Sequence, residues 1–221
     1  MNSLREPRLE ALLERLHGKS LAQDEDLGRF FSKRAEAGED LSLDSAEVKA
    51  FLTDKLVALE PDKSLFCYQI CRALRARRVV EAGTSYGVST LYLAAAVRDN
   101  GGGTVIATEY EPEKVEKAKS HFSEAGLVNQ IDLREGDLRE TLADVRGPID
   151  FMLIDIWSPM ARPALELVAL QLRAGAIVLC DNTEMFRDHY RDYFAYLHDP
   201  ANGFITMTLP FAGGLEMSVR V

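Results

Sequence analysis

The stretch Glu81-Ala82-Gly83-Thr84-Ser85-Tyr86-Gly87-Val88-Ser89-Thr90 decides the fold. It follows a β-branched run, Arg78-Val79-Val80-Glu81, and leads into a helix of small residues over Ser89–Arg98. Glycines at a strand-to-helix turn let the backbone approach a ligand closely. The next predicted strand, Thr104–Glu109, ends in an acid. A carboxylate about 20 residues beyond a glycine turn is placed to meet ribose hydroxyls. Loop and acid together predict a nucleoside lying across the carboxyl ends of the first two strands. The dinucleotide fingerprint G-x-G-x-x-G is not met: Ser85 stands between Gly83 and Gly87, and the third glycine position falls on Val88 or Ser89. This argues against a nucleotide-dependent oxidoreductase. Glu81, two positions before the first glycine, suits a cationic amino-acid moiety instead.

Outward from the loop, strand and helix alternate. Pro112–Ala125 is predicted as a helix with proline in its first turn. Strands are expected at Gln130–Arg134, at the almost wholly apolar Ile149–Asp155, and at Ala176–Asp181. Helices are expected at Pro163–Leu172 and Phe186–Leu197. Phe204–Leu209 and Leu215–Val221, joined by Pro210-Phe211-Ala212-Gly213-Gly214, read as an antiparallel hairpin. The alternation predicts an α/β fold, a doubly wound Rossmann-like parallel sheet closed by an antiparallel pair. Before Arg77 the pattern is helical: Leu4–Leu16, Asp24–Ala37, a start at Asp44-Ser45-Ala46-Glu47 leading into Val48–Leu59, and Asp62–Ala76. In the last of these, Leu65, Phe66, Gln69, Ile70 and Leu74 are expected near one face. Residues 1–76 are therefore expected to cover one edge on the acceptor side, and 77–221 to form the cofactor sheet, within one compact unit.

Composition narrows the classes of function. The 221 residues are 47% hydrophobic and 28% charged, which is ordinary for a soluble globular domain. The net charge of −9 gives no general attraction to nucleic acid or anionic membranes. Three cysteines exclude a disulfide scaffold and favour a reduced, cytoplasmic setting. Cys67, Cys71 and Cys180 read as core rather than as zinc ligands. Met1–Gly18 is charged and amphipathic, which predicts no signal peptide, and no apolar run approaches the ~20 residues that span a bilayer.

Glu81-Ala-Gly83-Thr84-x-x-Gly87-x-Ser89 followed by Glu109-Tyr110-Glu111-Pro112 resembles the class I S-adenosylmethionine-dependent methyltransferases. The likeness is narrower with the catechol and caffeoyl-CoA O-methyltransferases, runs from about Asp62 to Val221, and includes Gly213-Gly214-Leu215-Glu216. It implies a seven-stranded sheet with an antiparallel last strand and S-adenosylmethionine as cofactor. By position, Glu81 and Gly83 would border its methionine part, and Gly87 would belong to the same cofactor-binding loop. Thr84, Ser85 and Ser89 would hydrogen-bond its carboxylate. Glu109 would take both ribose hydroxyls, Tyr110 would flank the adenine, Gly136-Asp137-Leu138 would meet its edge, and Trp157 would pack on it. The resemblance also implies a small-molecule acceptor and makes a homodimer a candidate assembly.

Asp155 and Asp181-Asn182 end the fourth and fifth predicted strands on the edge that carries the glycine loop. Two carboxylates and an amide oxygen are a hard ligand set, suited to Mg²⁺, Mn²⁺ or Ca²⁺. In the metal-dependent relatives these positions carry the three protein ligands, so the resemblance implies Asp155, Asp181 and Asn182 as metal ligands, Asp155 also at the cofactor, and Asp155 and Asp181 as catalytic. A metal there would acidify a hydroxyl of a catechol-like acceptor. The sequence departs from the family pattern Asp-x-x-Lys, reading Asp155-Ile156-Trp157-Ser158, and has Ala161 in place of the tyrosine that follows. Serine is no substitute for a lysine base. The metal alone, another base such as His189 or Glu184, a nitrogen acceptor, or a cofactor-binding homologue without catalysis remain the alternatives.

Overall fold

The computed structural model describes residue 4, residues 6–39 and residues 45–221. The part of the predicted helix start that falls on Asp44 lies outside the described residues.

Seven strands form one sheet in the order β3-β2-β1-β4-β5-β7-β6. They are β1 (Arg78–Ala82), β2 (Thr104–Glu109), β3 (Ile131–Glu135), β4 (Ile149–Ile154), β5 (Leu172–Asp181), β6 (Phe204–Leu209) and β7 (Leu215–Arg220). The first five are mutually parallel, β7 runs antiparallel to β5, and β6 antiparallel to β7. Strand order reverses between β1 and β4, the switch point where open α/β sheets bind ligands. β4 is buried almost throughout because helices cover both faces of the sheet there.

The helices are α1 (Pro7–Leu21), α2 (Asp24–Glu36), α3 (Ala46–Leu52), α4 (Pro61–Ala73), α5 (Val88–Asp99), α6 (Pro112–Ala125), α7 (Leu138–Thr141), α8 (Ser158–Ala169) and α9 (Arg191–His198). Two layers of core lie on opposite faces of the sheet. One joins α1, α4, α5 and α6 to Val79, Val105, Phe151 and Leu179. The other joins α8 and α9 to Val80, Ile106, Met152 and Val178. Leu9, Leu12, Leu13 and Leu16, the stripe expected in the first helix, are all buried in the first layer. α2 buries none of its side chains fully, although Phe30 stacks on Phe51 with ring centres 3.8 Å apart.

Four elements differ from expectation. α3 stops at Leu52, and Leu56 and Leu59 are buried from irregular chain rather than from a longer helix. α8 starts at Ser158, with Pro159 in its first turn where a missing amide hydrogen does no harm, so Pro163 lies inside the helix. β5 begins at Leu172 rather than at Ala176, because Leu172 pairs with Ile149. The run expected as one helix over Phe186–Leu197 is a 3-10 turn, Arg187–Tyr190, followed by α9.

Candidate active site

Glu81 is the penultimate residue of β1 and fully buried. Its carboxylate accepts hydrogen bonds from Ser89 Oγ at 2.6 Å, from Thr84 Oγ1 at 3.2 Å, and from Thr90 Oγ1. Burial pushes its carboxyl up to about 7, and the three hydroxyl bonds oppose that rise. Glu81 thereby ties the glycine loop to the first turn of α5. A hydroxyl has one hydrogen to give. Those of Thr84 and Ser89 are both engaged by Glu81, so neither is the free donor to a ligand carboxylate that the resemblance implies. Ser85, by contrast, stands in the left-handed region with φ 49°, and its Oγ is buried without a hydrogen-bond partner.

Gly83 has φ 96°, and a Cβ there would lie 2.0 Å from the carbonyl oxygen of Asp155. The Asp155 amide in turn donates to the carbonyl of Ala82. Close backbone approach, rather than turn geometry alone, requires this glycine. Gly87, with φ 84°, precedes α5 and packs against the Phe122 ring.

Glu109 ends β2 beside this loop. Its Oε2 accepts the Ser85 amide at 2.6 Å, and its Oε1 accepts the amides of Tyr110 and Glu111, both at 2.9 Å. These bonds fix the carboxylate at the strand end and leave lone-pair capacity free. Tyr110 next to it is exposed. Asp137 caps α7 through the Arg139 amide and pairs with the Arg139 guanidinium, whose bonds hold its carboxyl down at about 2. Leu138 is buried in the second core layer and so turns away from the cleft. Trp157 is half-buried at the start of α8.

Ile154 and Cys180 pair across β4 and β5, which sets Asp155 and Asp181 side by side at the strand ends. Burial, then the neighbouring Asp181 and Glu81, push the Asp155 carboxyl well up. Its carboxylate accepts no hydrogen bond among the described residues. Asp181 is different. Its Oδ1 takes Lys63 Nζ at 2.6 Å, and its Oδ2 takes Asn182 Nδ2 at 2.8 Å. Lys63, from the first turn of α4, is fully buried and also pairs with Glu60 at 2.9 Å. Burial works against its charge, but Asp181 and Glu60 more than offset that, so the ammonium is held above its ordinary value. Asp181 rises to about 6, burial exceeding the pull of Lys63.

The expected divalent ion does not fit this arrangement. Of its three implied ligands, Asp181 has both oxygens engaged, one by an ammonium. Asn182, in the left-handed region with φ 57°, turns its nitrogen to Asp181 and its oxygen toward Gly213. Only Asp155 is open. No group of three or more His, Cys, Asp or Glu side chains among the described residues could hold a metal.

Residues 80–183 match the family model described as a methyltransferase domain. That match takes in β1 to β5 almost entire, with the glycine loop and both strand-end aspartates. The chain is similar to a catechol O-methyltransferase of Niastella koreensis, 27% identical over 130 residues that cover 57% of this chain and 58% of that protein. It is also similar to a putative O-methyltransferase of Mycolicibacterium smegmatis, 36% identical over 126 residues, covering 55% and 59%. The chain thus spans a little over half the length of the curated relatives it matches. In fold, the chain is similar to an O-methyltransferase from Streptomyces achromogenes involved in tomaymycin synthesis, solved with S-adenosylmethionine. The TM-score is 0.70 at 20% identity, covering 88% of this chain and 98% of that one.

Where relatives of the resemblance place a lysine, Ser158 is buried as the first residue of α8 with its hydroxyl unpartnered, and Ala161 is fully buried below it. Both suggested substitute bases are exposed. Glu184 is paired with Arg187, and His189 is stacked on Phe186. Sequence reasoning missed Lys63. Two signals pointed to it: Cys67 and Cys71 define a buried stripe whose next member toward the N-terminus is Lys63, and a cation in a helix's first turn opposes the helix dipole.

Proposed function

We propose that this protein is an S-adenosylmethionine-dependent O-methyltransferase acting on a small hydroxylated acceptor. The observation that carries the reading is the junction of loop and acid: the Ser85 amide holds Glu109 at the end of β2 while the Ser85 hydroxyl, buried beside it, has no partner. An orphaned buried hydroxyl costs ~1–3 kcal/mol unless a ligand satisfies it. Ser85 Oγ and the unpaired amides at the N-terminus of α5 would hold the cofactor's carboxylate. Glu109 would accept its ribose hydroxyls, and the backbone at Gly83 gives the close approach. Thr84, Ser89 and Glu81 act one step back, by locking the loop. Tyr110 and Trp157 would border the adenine. Bound there, S-adenosylmethionine supplies an electrophilic methyl on a sulfonium.

Asp155 faces the acceptor in this reading, because it is the strand-end carboxylate without a partner. It would hold the acceptor hydroxyl in line and accept its proton as oxygen takes the methyl. The acidic cluster of Glu81, Asp155 and Asp181 suits a cationic cofactor. Phe66 and Phe211, with ring centres 5.3 Å apart, and Trp157 supply apolar surface suited to a planar aromatic acceptor such as a catechol. Transfer of labelled methyl from S-adenosylmethionine to a panel of phenols, catechols, aliphatic alcohols and amines tests the proposal. Methylation on oxygen is expected. Transfer to nitrogen alone, or to none of the panel by a chain that binds S-adenosylhomocysteine, would refute it.

A further inference from the structure

We propose that the Lys63 ammonium is the resident cation of this cleft and takes the place of a divalent metal ion at the strand-end carboxylates. The proposal uses the reading of the cleft as a methyltransferase site only to say which site is meant.

Three observations carry it. Lys63 comes from α4, outside the residues that match the methyltransferase model, yet it ends against Asp181 with Nζ at 2.6 Å from Oδ1 and no solvent exposure. A lysine almost never reaches full burial unless it is paired, and this one is paired twice, with Asp181 and with Glu60 at 2.9 Å. The second Asp181 oxygen and the Asn182 amide nitrogen are bonded to each other, so the oxygen-rich set that a hard divalent ion needs is not presented. A divalent ion bound to Asp181 would sit a few ångströms from a like charge in a poorly solvated cleft, where such repulsion is large. The same arrangement removes the need for the ion. Its role at this position is to place positive charge beside an acceptor oxygen, and a buried ammonium fixed by two carboxylates supplies one such charge.

The test is Mn²⁺ binding, read by the loss of the free-ion electron paramagnetic resonance signal, on the full chain with and without S-adenosylhomocysteine. Wild type is expected to bind Mn²⁺ only in the millimolar range. Lys63→Met, which keeps the stem and removes the charge, should bind at least about tenfold more tightly once Asp181 is released. Lys63→Ser replaces it should Lys63→Met fail to fold. Micromolar binding to the wild type overturns the proposal whatever the variants do. So does a folded variant that binds Mn²⁺ no better than wild type, since the lysine is then not what excludes the ion. Calorimetry with S-adenosylhomocysteine on the same samples separates this result from the methyltransferase reading: absence of that binding refutes the reading, while the Mn²⁺ comparison still judges the lysine.

Discussion

At the scale of single residues, Gly83 and Glu81 do opposite kinds of work. Gly83 is needed for what it lacks. With φ 96° and a Cβ position 2.0 Å from the Asp155 carbonyl, Gly83→Ala combines backbone strain with overpacking. It should lower the unfolding free energy by about 2–5 kcal/mol in urea titration, and a loss of less than ~0.5 kcal/mol would show that the strand ends are not rigidly apposed. Glu81 is needed for its lone pairs, at an electrostatic cost. Its carboxyl is raised to about 7 by burial, against 4.5 for the ordinary group. Between those values the folded chain holds a proton that the unfolded chain has released. The stability that this group contributes is therefore complete below about pH 4.5 and lost as pH rises to about 7. Asp181, raised to about 6, slopes the same way. Glu81→Gln removes a share of at most about 3 kcal/mol, and should flatten the fall in unfolding free energy over that window. An unchanged slope would mean that Glu81 is ionised in the folded chain. Asp155→Asn should cut turnover by ~100-fold or more if it accepts the acceptor's proton, with S-adenosylhomocysteine affinity little altered. An equal loss of both would reassign it to cofactor binding. Glu109 was legible from its spacing after the loop, because the distance between strand ends in a βαβ unit is set by helix length. The engagement of Ser89 and Thr84 with Glu81 was not, since a hydroxyl's choice of acceptor depends on rotamers that no spacing records.

At the scale of elements, the strands were the readable part. The bounds of β2 and α6 agree with the sequence pattern residue for residue, because Glu109 and Pro112 punctuate them chemically. In α4 Cys67 and Cys71 are core, as read, but the larger apolar face is only partly inward. Leu65, Phe66, Ile70 and Leu74 are only partly buried and Gln69 is exposed, while Lys63, Ser64, Cys67 and Cys71 form the buried stripe. Hydrophobicity ranks lysine last for burial, so a stripe that starts on one is invisible to periodicity alone. α8 was placed late because Pro163 looked like a start, when Pro159 fills that role. The N-terminal cover is tied to the sheet through Leu9 and Leu12, both essentially without exposure in the core layer that includes Val79 and Phe151. Leu12→Ala should cost about 2–5 kcal/mol and lower the midpoint of sheet and helix signals together. A variant that melts α1 while the sheet signal holds would show that the two fold separately.

At the scale of the whole molecule, part of the acidity visible in the composition, four of 35 acidic residues, lies where the strands end. Glu81, Glu109, Asp155 and Asp181 meet on one edge of the sheet, with the buried Lys63 as their internal counter-charge. Net charge alone said nothing about chemistry, whereas the sheet order turns dispersed acids into a cleft that suits a cationic cofactor. No helix among the described residues is long and apolar enough to cross a membrane. The most direct test of the central claim is isothermal titration calorimetry of the full chain with S-adenosylhomocysteine and, separately, with NADPH. Saturable binding of S-adenosylhomocysteine is expected, weakened at least about tenfold by Glu109→Ala through loss of the ribose contacts, with no binding of NADPH. Tight NADPH binding without S-adenosylhomocysteine binding would contradict it.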